Sequence, residues 1–392
     1  MTTTTAATAA TATPTTTTAT PTTATTTAVT TTATPTTTAT PTTTTATPTT
    51  TTATPTTATT TAAPRETTYK IVPCVVSKQH NYMHNKAMLC NTAKHTDLLG
   101  YTLMRIKTFS PTAAVYPHLY RLAQAVQHSD KPTMLACLND VRSLAVFTNK
   151  PAWRACFAKI DALITTGQSQ ATIFSMSGNS KLPFISFSSL PGVTCPGAGD
   201  CLAFCYSFSA WRYPAAFMRQ LNNAFLLRFE SNQISVAFDA IDNKMQQAYD
   251  VRLYVDGDFS STDDVSFWFD LIKTSSKANV YGYSKSFAQI LSYSGTWPTN
   301  YVLNISSGHN SDTATVDAVK ALPITRGEFI AVSLGRKVRS KEHGTVTINK
   351  ELRAAYGAKA FPCPGACGSC TGKGHACGMQ TLKGLPIIIA VH

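Results

Sequence analysis

The chain has 392 residues, with 33 Lys and Arg against 20 Asp and Glu, for a net charge of +13. That balance excludes an acidic solvating chain and draws the protein toward polyanions such as nucleic acid. No stretch approaches the roughly 18 uninterrupted apolar residues of a membrane helix, and no basic segment with an apolar core opens the sequence, which predicts a cytoplasmic protein without a membrane partner.

Residues 1–64 contain only Met, Thr, Ala, Pro and one Val, and no charge precedes Arg65. β-Branched Thr and recurrent Pro disfavour helix, and nothing large and apolar offsets the ordering cost of the backbone. The composition predicts a disordered arm, read as a flexible tether in preference to a glycosylated stalk.

Residues 65–168 read as a mainly helical region. Apolar residues recur at three- and four-residue spacing over His118 to Gln127 and Met134 to Phe147, and Ser110-Pro111 and Lys150-Pro151 mark breaks. Cys74, His80, His84 and Cys90 lie close enough in sequence to hold zinc. Their spacing matches no standard finger, and surface His with buried Cys is the simpler reading.

Over residues 169–345 strands alternate with helices. Strands are expected at Phe184 to Phe187, Val251 to Val255, Val280 to Tyr283, Tyr301 to Ile305 and Phe329 to Leu334. Helices are expected at Leu202 to Phe229, Ile234 to Gln247, Thr262 to Ser275 and Thr313 to Leu322; Thr262-Asp263-Asp264 supplies capping oxygens and negative charge to the third. Successive βα units imply an α/β fold with a parallel sheet, either open or closed into a partial or complete barrel. Such folds place their chemistry at the carboxyl ends of the strands. The loop bearing Cys195, Cys201 and Cys205 falls there, as do Asp256-Gly257-Asp258, Ser284-Lys285, Asn304 with Ser306 and His309, and the basic run Arg336, Lys337, Arg339 and Lys341.

Residues 346–392 form a Cys- and Gly-rich segment with Cys363, Cys367, Cys370 and Cys377. Together the two clusters hold seven of the eleven cysteines, in loops that offer no core in which to bury them. Reduced thiolate ligands explain this better than a disulfide framework, which suits short secreted chains. Four thiolates in the terminal loop suit zinc or an iron–sulfur cluster alike, and the sequence leaves one shared site or two separate ones open.

The run from Leu190 to Ser207 (Leu-Pro-Gly-Val-Thr-Cys-Pro-Gly-Ala-Gly-Asp-Cys-Leu-Ala-Phe-Cys-Tyr-Ser), followed by Gly257-Asp258-Phe259-Ser260 and Tyr283-Ser284-Lys285-Ser286, resembles the phage and plasmid gene product eighty-eight family. The terminal Cys cluster, its following apolar strand and His392 fit as well, so the resemblance covers roughly 170 to 392. It implies a phage or plasmid protein working in a bacterial host. The βα layout is also similar to the radical SAM barrel, in which three cysteines after the first strand hold a [4Fe-4S] cluster that leaves one iron open to S-adenosylmethionine. That likeness places the cluster on Cys195, Cys201 and Cys205, with Phe204 as the aromatic residue before the last cysteine. It places the amino-group turn at Gly257-Asp258, and ribose contacts at Ser284, Asn304 or Ser306. The spacing here is C-x5-C-x3-C and not the superfamily's C-x3-C-x2-C, a pattern that occurs instead at Cys363, Cys367 and Cys370.

Three functions follow as expectations. One is an iron–sulfur enzyme with a radical-SAM-like barrel acting on nucleic acid or a nucleotide, with Asp256, Asp258 and Lys285 as its catalytic polar residues. Another is a zinc-stabilised protein that binds nucleic acid, through Arg336, Lys337, Arg339 and Lys341, without catalysis. The last is a Mg²⁺-dependent nuclease or hydrolase built on Asp256, Asp258 and His309.

Overall fold

A computed structural model describes residues 116–144, 150–176, 182–203, 205–336, 338, 344–368, 370–371 and 374–391, all within one compact unit. The arm at 1–64, the Cys74, His80, His84 and Cys90 group, Phe204, Lys337, Arg339, Lys341 and His392 lie outside them. Among the described residues no helix is long and apolar enough to cross a membrane.

Three helices come first: α1 (Tyr116–Gln127), α2 (Lys131–Arg142) and α3 (Pro151–Thr166). Asp130 starts α2 by accepting from the Thr133 N–H at 3.0 Å, with Pro132 in the first turn, where its missing N–H costs nothing. Gly167, at φ +73°, ends α3 in the left-handed conformation that favours glycine.

The sheet follows as β1 (Ile185–Ser186), β2 (Tyr249–Leu253), β3 (Ala278–Ser284), β4 (Tyr301–Ser306), β5 (Thr325–Val332), β6 (Phe361–Pro362) and β7 (Ile387–Ala390). Its order is β1-β2-β3-β4-β5-β7-β6 with every neighbour parallel, and it curls into a half-barrel. Between the strands run α4 (Pro214–Phe229), α5 (Asn232–Lys244), α6 (Thr262–Thr274), α7 (Phe287–Leu291), α8 (Thr313–Ala321) and α9 (Thr345–Tyr356).

Alternation along each strand divides the side chains between two faces. Val251, Leu253, Val280, Leu303 and Ile305 join one apolar core with Trp268 and Phe269 of α6, Phe225 of α4 and Phe157 of α3. This core runs from Leu119 to Ile324, so the early helices pack into the same interior as the sheet. The opposite face carries Tyr281, Val302 and Ile387, which are covered by Ala376 and Cys377 of the terminal Cys-rich loop together with Phe184, Phe329 and Leu382. A third small core sits under α9, where Ile348 and Leu352 meet Val338, Ile388 and Ala390.

The sequence predicts one long helix from Leu202 to Phe229, and the structure corrects this. Short 3-10 turns at Asp200–Ala203 and Ser207–Arg212 precede α4, which begins at Pro214. The chain must first carry Cys201 and Cys205 around the mouth, and Pro214 fixes the place where a helix can start. The helix expected from Thr262 is capped one residue earlier, where Ser261 Oγ accepts from Asp264 N–H at 3.1 Å. Met134 to Phe147 ends sooner than expected, with α2 closing at Arg142.

Arg326, only 1 % exposed, pins the terminal loop to the sheet. Its Nε donates to Asn304 Oδ1 at 2.6 Å, and its Nη1 donates to the Leu385 carbonyl at 2.8 Å and the Leu382 carbonyl at 3.2 Å. Asn304 Nδ2 in turn donates to the Cys377 carbonyl at 2.9 Å and the Gly282 carbonyl at 3.1 Å. Asn304→Ala leaves several buried groups unpaired at once and is expected to cost about 2–3 kcal/mol. Chemical denaturation measures this, and a wild-type unfolding midpoint would show that the loop is held by other means.

Candidate functional site

The mouth of the half-barrel is assembled from the loops after β1, β2, β3 and β4. After β1 the chain crosses to the far side: Gly199 and Cys201 N–H groups both donate to the Gly308 carbonyl, at 2.9 and 3.1 Å, and Asn310 N–H donates to the Gly197 carbonyl at 3.1 Å. The first thiol loop is thereby stitched to the turn that follows β4. A β-carbon on Gly197 would stand 1.7 Å from the Lys285 carbonyl, so only glycine lets the loop pass so close to the end of β3. Gly257 adopts φ +78° and lies against Thr194 and Ser189, which locks the turn after β2 to the same loop.

Cys195, Cys201 and Cys205 are half-buried there and lie within one another's electrostatic reach. Burial pushes the Cys195 thiol well above its ordinary value, with Asp258 and the neighbouring thiols adding to the rise. The same cause raises Cys201 to about 11, opposed by Lys285, and raises Cys205. Backbone hydrogen bonds at Gly192 for Cys195, Gly199 for Cys201, and Ser207 and Phe208 for Cys205 favour the thiolates. Donors aimed at sulfur are what a ligating thiolate requires.

Asp258 organises the opposite wall. It accepts from Ser284 Oγ at 2.7 Å, from Lys285 N–H at 2.7 Å and from its neighbour's N–H, Phe259, at 2.9 Å. Lys285 Nζ then reaches Ser306 Oγ at 2.6 Å, linking β3 to β4 across the mouth. Burial raises the carboxyls of both Asp256 and Asp258; hydrogen bonds from Ser207, Gln220 and Ser188 oppose the rise at Asp256. His309 stacks on Phe287 at 4.9 Å, and burial, with Lys285, lowers its pKa.

Seven of the residues singled out in the sequence therefore meet in one place: Cys195, Cys201, Cys205, Asp258, Ser284, Lys285 and Ser306. Asn304 does not join them, since its amide is spent on Arg326 and Cys377 below the sheet. Arg336 is paired with Glu351 at 2.6 Å, leaving its charge neutralised.

The second thiol group sits on the concave face. Cys363, Cys367, Cys370 and Cys377 gather in the terminal loop, and burial raises Cys363 to about 11 and Cys377 to about 12. Cys370 Sγ accepts from Ala376 N–H at 3.3 Å. His375 rests between Phe184 and Tyr281, at ring distances of 4.7 and 4.4 Å, with its Nε2 3.4 Å from Asp250 Oδ2. Sequence reading missed Arg252, Tyr281, Arg326 and Asp250, since each occupies an ordinary-looking strand position. Arg252 and Arg326 carried a signal all the same, as a charge inside a strand buried on both faces needs a reason.

Among the described residues no three His, Cys, Asp or Glu side chains converge on a point that a single ion could occupy. Fold and mouth together define a class, a parallel βα half-barrel with a three-thiol loop set against a Ser-Lys-Asp wall. The chain belongs to the Gene product 88 family, a family of phage gene products, which it matches over residues 157–379, more than half of its length. No curated protein and no solved structure matches it.

A raised thiol pKa favours the neutral thiol in the folded state, so its contribution to stability is complete below the unfolded value near 9.0 and is lost as pH rises through about 11. Metal-free protein is expected to lose stability steadily over that window, and Cys201→Ser to lessen the slope by about one proton. Denaturation at pH 8, 9, 10 and 11 reads both, and parallel curves for the two proteins would remove the assignment.

Proposed function

We propose that the protein is a phage- or plasmid-encoded iron–sulfur enzyme with its reaction centre at the mouth of the half-barrel, acting on a nucleotide or nucleic acid. The observation that carries this reading is the meeting of Cys195, Cys201 and Cys205, each with a backbone hydrogen bond at sulfur, with the Asp258-Ser284-Lys285-Ser306 network. Sulfurs about 2.3 Å from one zinc ion lie under about 4 Å apart. Three thiolates in one loop leave a fourth position open, which suits a multi-iron cluster with one iron free for a ligand.

Cys195, Cys201 and Cys205 would hold such a cluster with one iron open, which when bound supplies an electron to a ligand such as S-adenosylmethionine. The chain's own residues do the rest. Asp258 fixes the backbone of Lys285 and thereby aims its ammonium across the mouth toward Ser306. Charge +13 over the whole chain favours an anionic substrate, and Lys285, whose charge acts on Cys201 and Cys205, is the cation assigned to hold it at the mouth. Asp256, whose carboxyl pKa burial raises, is the residue assigned to exchange a proton, while Asp258 serves as a positioning residue because both its oxygens already hold the end of β3 and its own turn. That commitment also leaves few oxygens for a hard divalent ion. The terminal thiols form an auxiliary or structural centre, since they line a covered face.

Anaerobic purification with iron, sulfide and zinc assays and a visible spectrum tests the reading. Brown protein with iron and sulfide is expected, with Cys205→Ala losing one centre's share of iron and sulfide while keeping its fold. Cys370→Ala is expected instead to lower the melting temperature, by several degrees, because the terminal loop covers one face of the sheet. Colourless protein with stoichiometric zinc would move the assignment to a structural nucleic-acid-binding protein.

A further inference from the structure

Arg252 lies on the face of β2 opposite Val251 and Leu253, directly across from Tyr281 in the sheet register. A guanidinium so placed normally pairs with a carboxylate. Among the described residues this one has no hydrogen-bond partner: its Nε is buried and unpaired, and its contact is with the ring of Tyr283, 4.8 Å away. Neighbouring carboxylates are engaged elsewhere. Asp250, two residues before it on the same face, turns to His375 at 3.4 Å, and Asp256 feels the Arg252 charge but takes its hydrogen bonds from Ser207, Gln220 and Ser188. Beside it Tyr281 Oη is buried with no oxygen or nitrogen partner among the described residues and turns toward the Cys367 thiol. Arg252 shares its field with Tyr206, next to Cys205, and with Cys367 of the terminal loop, so it lies between the two thiol groups.

Two adjacent donors that no oxygen of the described residues accepts from, one of them on a permanent cation, match an oxyanion in charge and donor number. The guanidinium fork offers parallel N–H donors that match a carboxylate or phosphate, and the Tyr281 hydroxyl adds a third. We propose that Arg252 and Tyr281 form an anion-binding point on the concave face, between the two thiol groups, that receives the phosphate or carboxylate of a small-molecule substrate. The proposal deepens the enzyme reading, because that anion belongs to the molecule worked on at the mouth, and it names Arg252 as the residue that selects it.

The test titrates anaerobically purified full-length protein with inorganic phosphate, followed by phosphorus NMR, and with labelled acetate, followed by carbon NMR. Wild type is expected to bind one of the two, which decides between phosphate and carboxylate. Arg252→Gln is expected to weaken that binding at least tenfold and Tyr281→Phe by a few fold, with Arg252→Lys in between because it keeps the charge and loses the fork. Metal and sulfide content, far-ultraviolet circular dichroism and melting temperature are expected to stay at wild-type values in all three. Equal binding by wild type and Arg252→Gln, or binding of neither anion by wild type, overturns the proposal. Loss of metal in Arg252→Gln in step with loss of binding also overturns it, and makes Arg252 a countercharge for the thiolates. The metal assays judge the cluster reading separately: iron-free protein that still binds an anion through Arg252 would keep this site and remove the cluster.

Discussion

A parallel sheet has two apolar faces and can leave neither to water. In this protein α-helices cover the convex face, and among the described residues none of them covers the concave one. The chain's own terminal loop fills that role, with Ala376, Cys377 and Leu382 as its main apolar contacts. What holds it is polar: Arg326, buried against the sheet, grips the carbonyls of Leu382 and Leu385 while Asn304 grips that of Cys377. Burying an arginine is costly, and here its donors are matched by carbonyl and amide oxygens, which makes the loop and the charge depend on each other.

The mouth obeys the same logic at smaller scale. Irregular loops bring backbone groups that must be paired, and these loops pair with one another instead of with water. Gly308 accepts from Gly199 and Cys201, and Gly197 accepts from Asn310, so the thiol loop and the turn after β4 behave as one body. Three thiols are thereby presented on a rigid rim, facing an Asp-Ser-Lys-Ser relay that is itself fixed at both ends. Rigid presentation of this kind is what a reaction centre or a metal-thiolate site needs, because the supporting contacts set the position of the reacting groups.

Much of the scaffold was legible along the chain. Five strand segments and four helices of the βα region were readable because parallel strands buried on both faces appear as short apolar runs, and the helices between them carry their own caps, such as Asp312 at α8. The long helix expected after the thiol loop is helical only from Pro214 to Phe229. Apolar spacing over Leu202 to Phe229 is helix-like, yet the tertiary demand that Cys201 and Cys205 reach the mouth overrode it until Pro214. The last strand, Ile387–Ala390, lies far along the chain from its partner β5, and its insertion between β5 and β6 is a long-range pairing that no local pattern encodes.

The candidate site divides in the same way. The sequence by itself determined which residue types are present and how they are clustered: thiols in glycine-rich loops, and Asp-Gly-Asp and Ser-Lys pairs at strand ends. Those are local properties, set by turn chemistry and by strand alternation. Only the tertiary structure decided that Cys195, Cys201 and Cys205 face Asp258 and Lys285, that Asn304 leaves that group for the concave face, and that Arg252 stands near both sets of thiols with its Nε unpartnered among the described residues. Each depends on the curl of the sheet and the register of strands distant in sequence, because whether a charge is paired is a fact about its neighbours in space.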